Sequence, residues 1–459
     1  MSGSEATRTR GVLGLAMPLV FSFWFRAAFQ WVDTIYASSL GALGDASIAA
    51  IGLTAPFEFL MIACWVGTSN GLTSHLAAAM GARQGRKVEQ LVIATRRIVR
   101  WLRFVFLGLA AALWLVIPHL PLEAGVAGQF RIYGPVLLAG SSLTAFWSIL
   151  PDSLVKAHND TRSTMWAGII STLVNFTLNT VFVFVFHWGI AGIALATVLA
   201  RLGGLAYALR RAAAHERRRL ARGTDTEAGT FARPLRAILS LAVPGGLSFA
   251  LLAVEGLAIN GLLAARADSA ALLAAWSIVD RAARFLTMPV IAIGVALLPL
   301  AARLWGARDP NGIRREVRTG LLAGAGYVVL FVLPLTVFLA GPVARGLTDA
   351  QAAQEAAQQG IRLAALAVAL GAPMFLLRST FEGMQQPRPG LLVSGLRTAI
   401  FLVPLAWLGL SLAPRVGRHE IEGLLVGVSL AAGLSSALLL VWMRAFLAER
   451  SAELARPGA

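Results

Sequence analysis

Apolar residues in this chain neither alternate nor keep to one face of a helix. They run on in stretches of about twenty, the length an α-helix needs to cross the hydrocarbon core of a bilayer. Twelve such stretches are read, at 12–38, 46–79, 99–118, 128–152, 163–186, 189–209, 237–264, 270–302, 319–341, 358–382, 390–411 and 423–447. The second and eighth exceed what a bilayer requires, so they are expected to tilt or to project into the cytoplasm. Unbroken runs exclude a β-barrel, whose strands alternate apolar and polar positions.

The pattern also returns on itself. Met17-Pro18 is answered by Val243-Pro244, Ala49-Ala50-Ile51 by Ala274-Ala275-Trp276, Gly81-Ala82-Arg83 by Gly306-Ala307-Arg308, and Asp160-Thr161-Arg162 by Gln386-Pro387-Arg388. The offset is 226 for the first and last (244 − 18, 386 − 160) and 225 for the middle two (274 − 49, 306 − 81), so almost nothing separates the copies in length. Duplicated membrane bundles are a transporter signature. Six spans return each copy to the side where it began, so the repeats are parallel, with their pseudo-twofold axis expected along the membrane normal. The predicted fold class is an all-α membrane protein of twelve transmembrane helices, with an N-terminal six-helix bundle over 1–209, a cytoplasmic basic linker over 210–236 and a C-terminal six-helix bundle over 237–459.

Composition agrees. With 57% hydrophobic and 14% charged residues and a mean hydropathy of +0.71, the chain has too little polar surface for a soluble globule. A net charge of +17 raises nucleic acid as a partner, but the basic residues fall between spans and on alternate sides. Arg83, Arg86, Lys87, Arg96, Arg97 and Arg100 follow the second span, Lys156 and Arg162 the fourth, eight arginines between Arg210 and Arg236 the sixth, and five between Arg303 and Arg318 the eighth. The positive-inside rule then places both termini in the cytoplasm of a bacterial-type inner membrane and gives the charge a topological role, so no nucleic-acid partner is expected. No cleavable signal peptide is expected either, since residues 1–10 are polar and the first apolar run is long enough to span.

Chemistry is sought among ionisable groups inside the spans, where they are costly. Arg26, Gln30 and Asp33 follow one another at intervals of four and three, forming a polar stripe about 10 Å long on one face of the first helix. Arg26 and Glu58 each lie about 12 residues, or roughly 18 Å, from the outer surface, which allows an ion pair of structural or functional use near the midplane. That leaves Asp33 as the free, titratable carboxylate. Pro18 removes a backbone hydrogen bond 15 residues earlier and is either a hinge or a static kink. Asn175 and Asn179 share a face of the fifth span and can hydrogen-bond across the bundle. In the second half, Glu255 has no cation near it in sequence, Asp280, Arg281 and Arg284 can satisfy one another, and Arg378 and Glu382 are expected to reach water. The single cysteine, Cys64, and six scattered histidines give no metal-ligand spacing. No Walker loop, nucleophile elbow or dinucleotide fingerprint occurs, so the chain is expected not to be an enzyme, and transport is ion-coupled, partner-driven or passive.

Several runs together resemble the multidrug and toxic compound extrusion (MATE) family over nearly the whole chain. They are Val32-Asp33-Thr34-Ile35-Tyr36, Leu40-Gly41, Ala49-Ala50-Ile51-Gly52-Leu53, Gly81-Ala82-Arg83, His158-Asn159-Asp160-Thr161-Arg162, Asn175 with Leu178-Asn179, and Gly189 through Val198. The resemblance implies two six-helix bundles around a central cavity and antiport of bulky, amphipathic, often cationic small molecules against H⁺ or Na⁺. It gives Asp33 the ion-coupling role, Pro18 the bend and Asn175 a place beside the ion. Asn179 departs from the aspartate of many members, which favours H⁺, since a proton needs one carboxylate and a cation cage wants more oxygen charge. Glu255 resembles the seventh-helix glutamate of one branch, whose tenth-helix aspartate is absent. Arg26, unusual for the family, keeps open a flippase for a lipid-linked anionic head group. A non-transporting scaffold would have no use for buried Arg26, Asp33 and Glu58. The site expected is thus Asp33, Asn175 and Asn179 for the ion, with Arg26, Gln30, Glu58 and Glu255 toward the substrate, in a monomer needing no other cofactor.

Overall fold

The computed structural model describes residues 11–29, 32–120, 122–223, 225–226, 229–266, 269–347 and 351–454. They are helical almost throughout, with no strand among them. The first span is recorded as α1, Val12–Phe29 and Val32–Ser38 on either side of residues 30–31. There follow α2 (Gly44–Gly81), α3 (Gly85–Val116), α4 (Ala124–Ala157), α5 (Thr161–Thr180, continued by a π-helical turn Val181–Val185) and α6 (Gly189–Ala221). The second copy comprises α7 (Pro234–Ala264), α8 (Ser269–Gly306), α9 (Pro310–Tyr327, a π turn Val328–Val332, Leu333–Leu347), α10 (Gln351–Gly383), α11 (Pro387–Leu396, a π turn Arg397–Leu402, Val403–Leu412) and α12 (Glu420–Leu454). Among the described residues eleven helices are long and apolar enough to cross a membrane, and Val12–Phe25 is a shorter apolar one. Large apolar side chains such as Phe338, Leu257 and Leu330 stand exposed on them, as a hydrocarbon solvent allows.

The duplication is visible in local geometry. Helices α2 and α8 both contain 38 residues. The turns after them place Arg83 and Arg308 at φ 58° and 57°, and those after α4 and α10 place Asn159 and Gln385 at 57° and 63°. Four non-glycine residues held in the left-handed region at matching positions indicate that each copy needs the same sharp reversal. The helix after each reversal is capped unequally. Asp160 accepts from the Ser163 N–H at 3.2 Å at the start of α5, and Asp309 from the Gly312 N–H at 2.8 Å at the start of α9.

The residues gather into two compact units. One is Phe21–Gly246, and the other joins the described residues up to Val20 to those from Leu247 onward. The chain changes unit two residues after Pro18 in α1 and two residues after Pro244 in α7. In the unit from Leu247, Leu263, Leu272, Ile361, Ile421 and Leu424 form one fully covered core cluster, and Phe381, Met384, Leu439 and Met443 another. In the unit Phe21–Gly246, Phe106 and Phe146 pack at 5.1 Å between α3 and α4.

Part of the stretch read as a linker is ordered and helical, because α6 runs on to Ala221. Arg211 Nη2 and His215 Nε2 reach Asp160 Oδ2 at 2.9 and 2.8 Å, and Ser163 Oγ donates to the same oxygen at 2.6 Å. Burial alone pushes the Asp160 carboxyl up, but the hydrogen bonds from Ser163, His215 and Arg211 outweigh it and hold it well below the usual carboxylate range. Beyond the helix, the Thr226 N–H donates to the Arg83 carbonyl at 2.7 Å, tying this segment to the α2–α3 turn.

Candidate ion-coupling site

Asp33 lies at the start of the Val32–Ser38 segment of α1. One turn on, the Tyr36 hydroxyl is 2.5 Å from Thr180 Oγ1, and its ring packs against Phe176 and Phe184 of α5 at 6.1 and 5.6 Å. The aromatic contacts and the hydrogen bond hold the segment against α5 and so fix the carboxylate. Facing it, α5 presents Asn175 and Asn179 and α6 presents Thr197 and Arg201. Each pair is spaced i, i+4, which sets both members on one helical face.

Four of these side chains close a hydrogen-bonded ring. Asn179 Nδ2 donates to Asp33 Oδ1 at 2.9 Å and to Asn175 Oδ1 at 3.3 Å, Asn175 Nδ2 donates to Thr197 Oγ1 at 3.1 Å, and Thr197 Oγ1 donates to Asp33 Oδ2 at 3.0 Å. Asp33 accepts at both oxygens, the arrangement of an ionised carboxylate. The ring also orients the Asn179 amide, since turning it over would set its oxygen against Asp33 Oδ1 and Asn175 Oδ1. As oriented, Asn179 is fully buried and its Oδ1 has no partner among the described residues. Leaving a buried acceptor open costs about 1–3 kcal/mol, so a donor or cation reaching this oxygen would be favoured. Two chemistries fit. A proton on Asp33 lets the amide turn and accept the new O–H, or a small cation draws together the oxygens of Asp33, Asn179, Asn175 and Thr197. The donor atoms are one carboxylate, two amide oxygens and a hydroxyl, a set that suits a proton or a hard cation rather than a soft one.

One turn along α6 from Thr197, Arg201 Nη2 lies 3.2 Å from Glu58 Oε1 of α2, and Arg201 Nη1 also donates to Ser141 Oγ of α4. The approach of α4 to α6 depends on Gly140, where a Cβ would fall 2.3 Å from Val198 Cγ2. The π turn Val181–Val185 begins directly after Thr180. Such turns displace the helical register and recur at functional sites.

The structure thus brings together Asp33, Asn175 and Asn179, as their residue types and the family pattern anticipate. Thr197 and Arg201 complete the group and were not singled out. Thr197 is the polar position in the apolar run Gly189–Val198, and Arg201 lies inside the expected span 189–209, which was the available signal. Gln30 and the side chain of Arg26 lie outside the described residues, and the cation described at Glu58 is Arg201. Glu255 belongs to the other unit, and there the expectation that it lacks a cation is corrected. Arg397 Nη2 lies 3.2 Å from its Oε2, and Thr398 Oγ1 donates to its Oε1 at 2.9 Å. The partner stands on α11, 142 residues away (397 − 255), which helical spacing cannot reveal. Arg378 and Glu382, expected in water, are buried and paired at 3.4 Å. Lys156, counted as a loop charge, is buried, paired with Asp152 at 2.5 Å and laid over the Trp65 ring at 5.3 Å. Helix α4 runs past its expected end at 152, so Asp152 and Lys156 pair one turn apart on one helix, as Arg378 and Glu382 do within α10. Asp280 and Arg284 do satisfy each other, at 2.7 Å.

The MatE family model matches residues 18–181 and again 244–408, so both copies carry it. The probable multidrug resistance protein NorM of Bradyrhizobium diazoefficiens is 24% identical over 460 residues, covering 94% of this chain and 92% of that protein. The probable multidrug resistance protein YoeA of Bacillus subtilis is 22% identical over 309 residues, 65% of this chain and 64% of YoeA, so this match spans just under two thirds of that relative. Among solved structures, an aspartate-to-asparagine mutant of the Vibrio cholerae MATE transporter VcmN superposes with a TM-score of 0.83 at 23% identity, over 95% of this chain and 96% of that one, a likeness of fold. Two matched repeats on a twelve-helix membrane fold establish that the chain belongs to the MatE family of multidrug efflux transporters and is a multi-pass membrane transporter, not an enzyme.

Proposed function

We propose that the protein is an H⁺-coupled antiporter that exports amphipathic, cationic or zwitterionic small molecules by alternating access. It acts as a monomer in a bacterial-type inner membrane with both termini in the cytoplasm. The observation that carries this reading is the closed ring around Asp33, in which an acceptor-only carboxylate shares a buried asparagine with an open acceptor oxygen. Substrate enters from the cytoplasm or inner leaflet while Asp33 is ionised. Protonation from outside cancels its charge, turns the Asn179 amide and removes the carboxylate's hold on Thr197. With its charge gone the outer part of α1 is free to repack, and Pro18 supplies the bend that this requires.

H⁺ is favoured over Na⁺ because the ring offers one formal negative charge, which is enough for a proton, whereas a cation cage wants more oxygen charge. The open Asn179 Oδ1 is the observation that favours Na⁺ as the second reading, since that oxygen is a ready ligand. Vesicles loaded with ethidium decide between them. The proposal expects efflux driven by an imposed pH gradient and none by a sodium gradient of equal size, with both abolished by Asp33→Asn. A sodium-driven efflux that ignores the pH gradient transfers the ring to Na⁺. Unchanged transport in Asp33→Asn removes it from coupling altogether.

A further inference from the structure

Arg103 of α3 lies deeper than a topology signal requires. At 100° per residue Arg96, Arg100, Arg103 and Leu107 fall within one narrow stripe, with the three arginines spread along about 10 Å of helix. The apolar run of this helix begins near residue 99, so Arg103 lies four residues, about 6 Å, inside it. Its guanidinium covers the Trp147 ring of α4 at 5.6 Å. Trp101 and Phe104 stand 71% and 63% exposed around it, and Trp147 itself is half exposed. Exposed tryptophans at this level mark the headgroup boundary of a bilayer. Arg100 and Arg103, through the apolar parts of their side chains, together with Phe104 and Leu107 line an almost wholly apolar space of about 250 Å³.

Among the described residues neither Arg100 nor Arg103 has a carboxylate in ion-pair range or a hydrogen-bond acceptor. Lys156, Arg201, Arg378 and Arg397 each have a carboxylate, whereas Arg131 lies over the Trp114 ring at 4.3 Å as Arg103 lies over that of Trp147. Unpaired charge at the edge of hydrocarbon is costly, and a guanidinium held over an aromatic ring still has N–H groups free to donate. A phosphate diester carries the charge and acceptor oxygens that suit those groups, and its acyl chains match the apolar wall of Phe104 and Leu107.

We infer that Arg100 and Arg103 of α3, with Arg96 beside them, bind the phosphate headgroup of an anionic phospholipid in the leaflet that the α2–α3 turn faces. The lipid's acyl chain fills the apolar space beside Phe104 and Leu107, and its phosphate, at the guanidinium ends, supplies the counter-charge that the protein does not. The site lies apart from the Asp33 ring and does not depend on which ion drives transport.

The test uses the full chain, delipidated and placed in phosphatidylcholine nanodiscs with rising mole fractions of phosphatidylglycerol, with retained lipid counted by native mass spectrometry. Wild type is expected to hold phosphatidylglycerol about 30-fold more tightly than phosphatidylcholine, from about 1 kcal/mol for each of two arginines. R100Q/R103Q is expected to lose that preference, and R415Q/R418Q, which removes equal charge elsewhere, to keep it. Equal retention of the two lipids by wild type overturns the inference without need of any variant. So does an unchanged preference in R100Q/R103Q. Inorganic phosphate added at the same concentration is expected not to displace the lipid, and displacement would make this a site for the free anion instead.

Discussion

The Glu58–Arg201 pair allows a prediction worked from geometry. At 3.2 Å the attraction is 332/(20 × 3.2), about 5 kcal/mol, at an effective dielectric of about 20, and about 1.3 kcal/mol if water screened it fully. Both side chains are 27% exposed, so the measurable coupling is expected at about 1–3 kcal/mol. Glu58→Gln leaves Arg201 without its carboxylate one turn from Thr197, with Asp33 as the acid whose charge it already feels. The guanidinium then turns to Asp33 and clamps it, so Glu58→Gln is expected to lose transport as well as stability. Glu58→Gln with Arg201→Gln removes the clamp and is expected to recover stability and part of transport. Thermal unfolding of the purified chain and dye efflux from vesicles read the two effects in one double-mutant cycle. Single-variant losses that add to within about 0.5 kcal/mol would show no coupling and refute the reasoning.

Gly140→Ala gains about 1 kcal/mol of helix propensity but drives a methyl into the stiff Val198, whose three nearest atoms lie at 2.3, 2.6 and 3.0 Å from it. A net loss of about 1–2 kcal/mol is expected, read as a lowered Tm and recovered by adding Val198→Ala. Asp160 is held below its unfolded value of 3.8, so its contribution is complete above that pH and is lost as the pH falls through and below it. Asp160→Asn is therefore expected to lower stability by about 1–2 kcal/mol at pH 7, with the gap closing as the pH falls below 3.8 in thermal scans. Glu255→Gln leaves Arg397 uncompensated in a site where Glu255 is only 7% exposed. It is expected to cost about 2–4 kcal/mol of stability, with the pH dependence of any remaining efflux unchanged.

What was legible in the sequence was what local spacing encodes. Unbroken apolar runs gave the helices, and the 225–226 offset gave the duplication, which returns as matched helix lengths and matched left-handed turns at Arg83 and Arg308. The i, i+4 spacing of Asn175 and Asn179 put both on one face, and the family resemblance brought Asp33 to them. Contacts between distant helices were not legible. Arg201 and Glu58 are 143 residues apart (201 − 58), as are Thr398 and Glu255 (398 − 255), and no periodicity within one helix reports on another. A charged residue near a span's end reads as solvated, whereas Lys156, Arg378 and Glu382 are buried and each pairs with a charge one turn away on its own helix. The hydrogen-bond directions around Asn179 are a property of the assembled ring and have no trace in the sequence.

The central claim is that Asp33 exchanges its proton for substrate. It is tested most directly by adding ethidium to the purified protein in weakly buffered detergent and following proton release with an indicator dye. Starting from a pH low enough for Asp33 to carry its proton, the account predicts up to about one proton released per protein in wild type and none in Asp33→Asn. Equal release from both would contradict it.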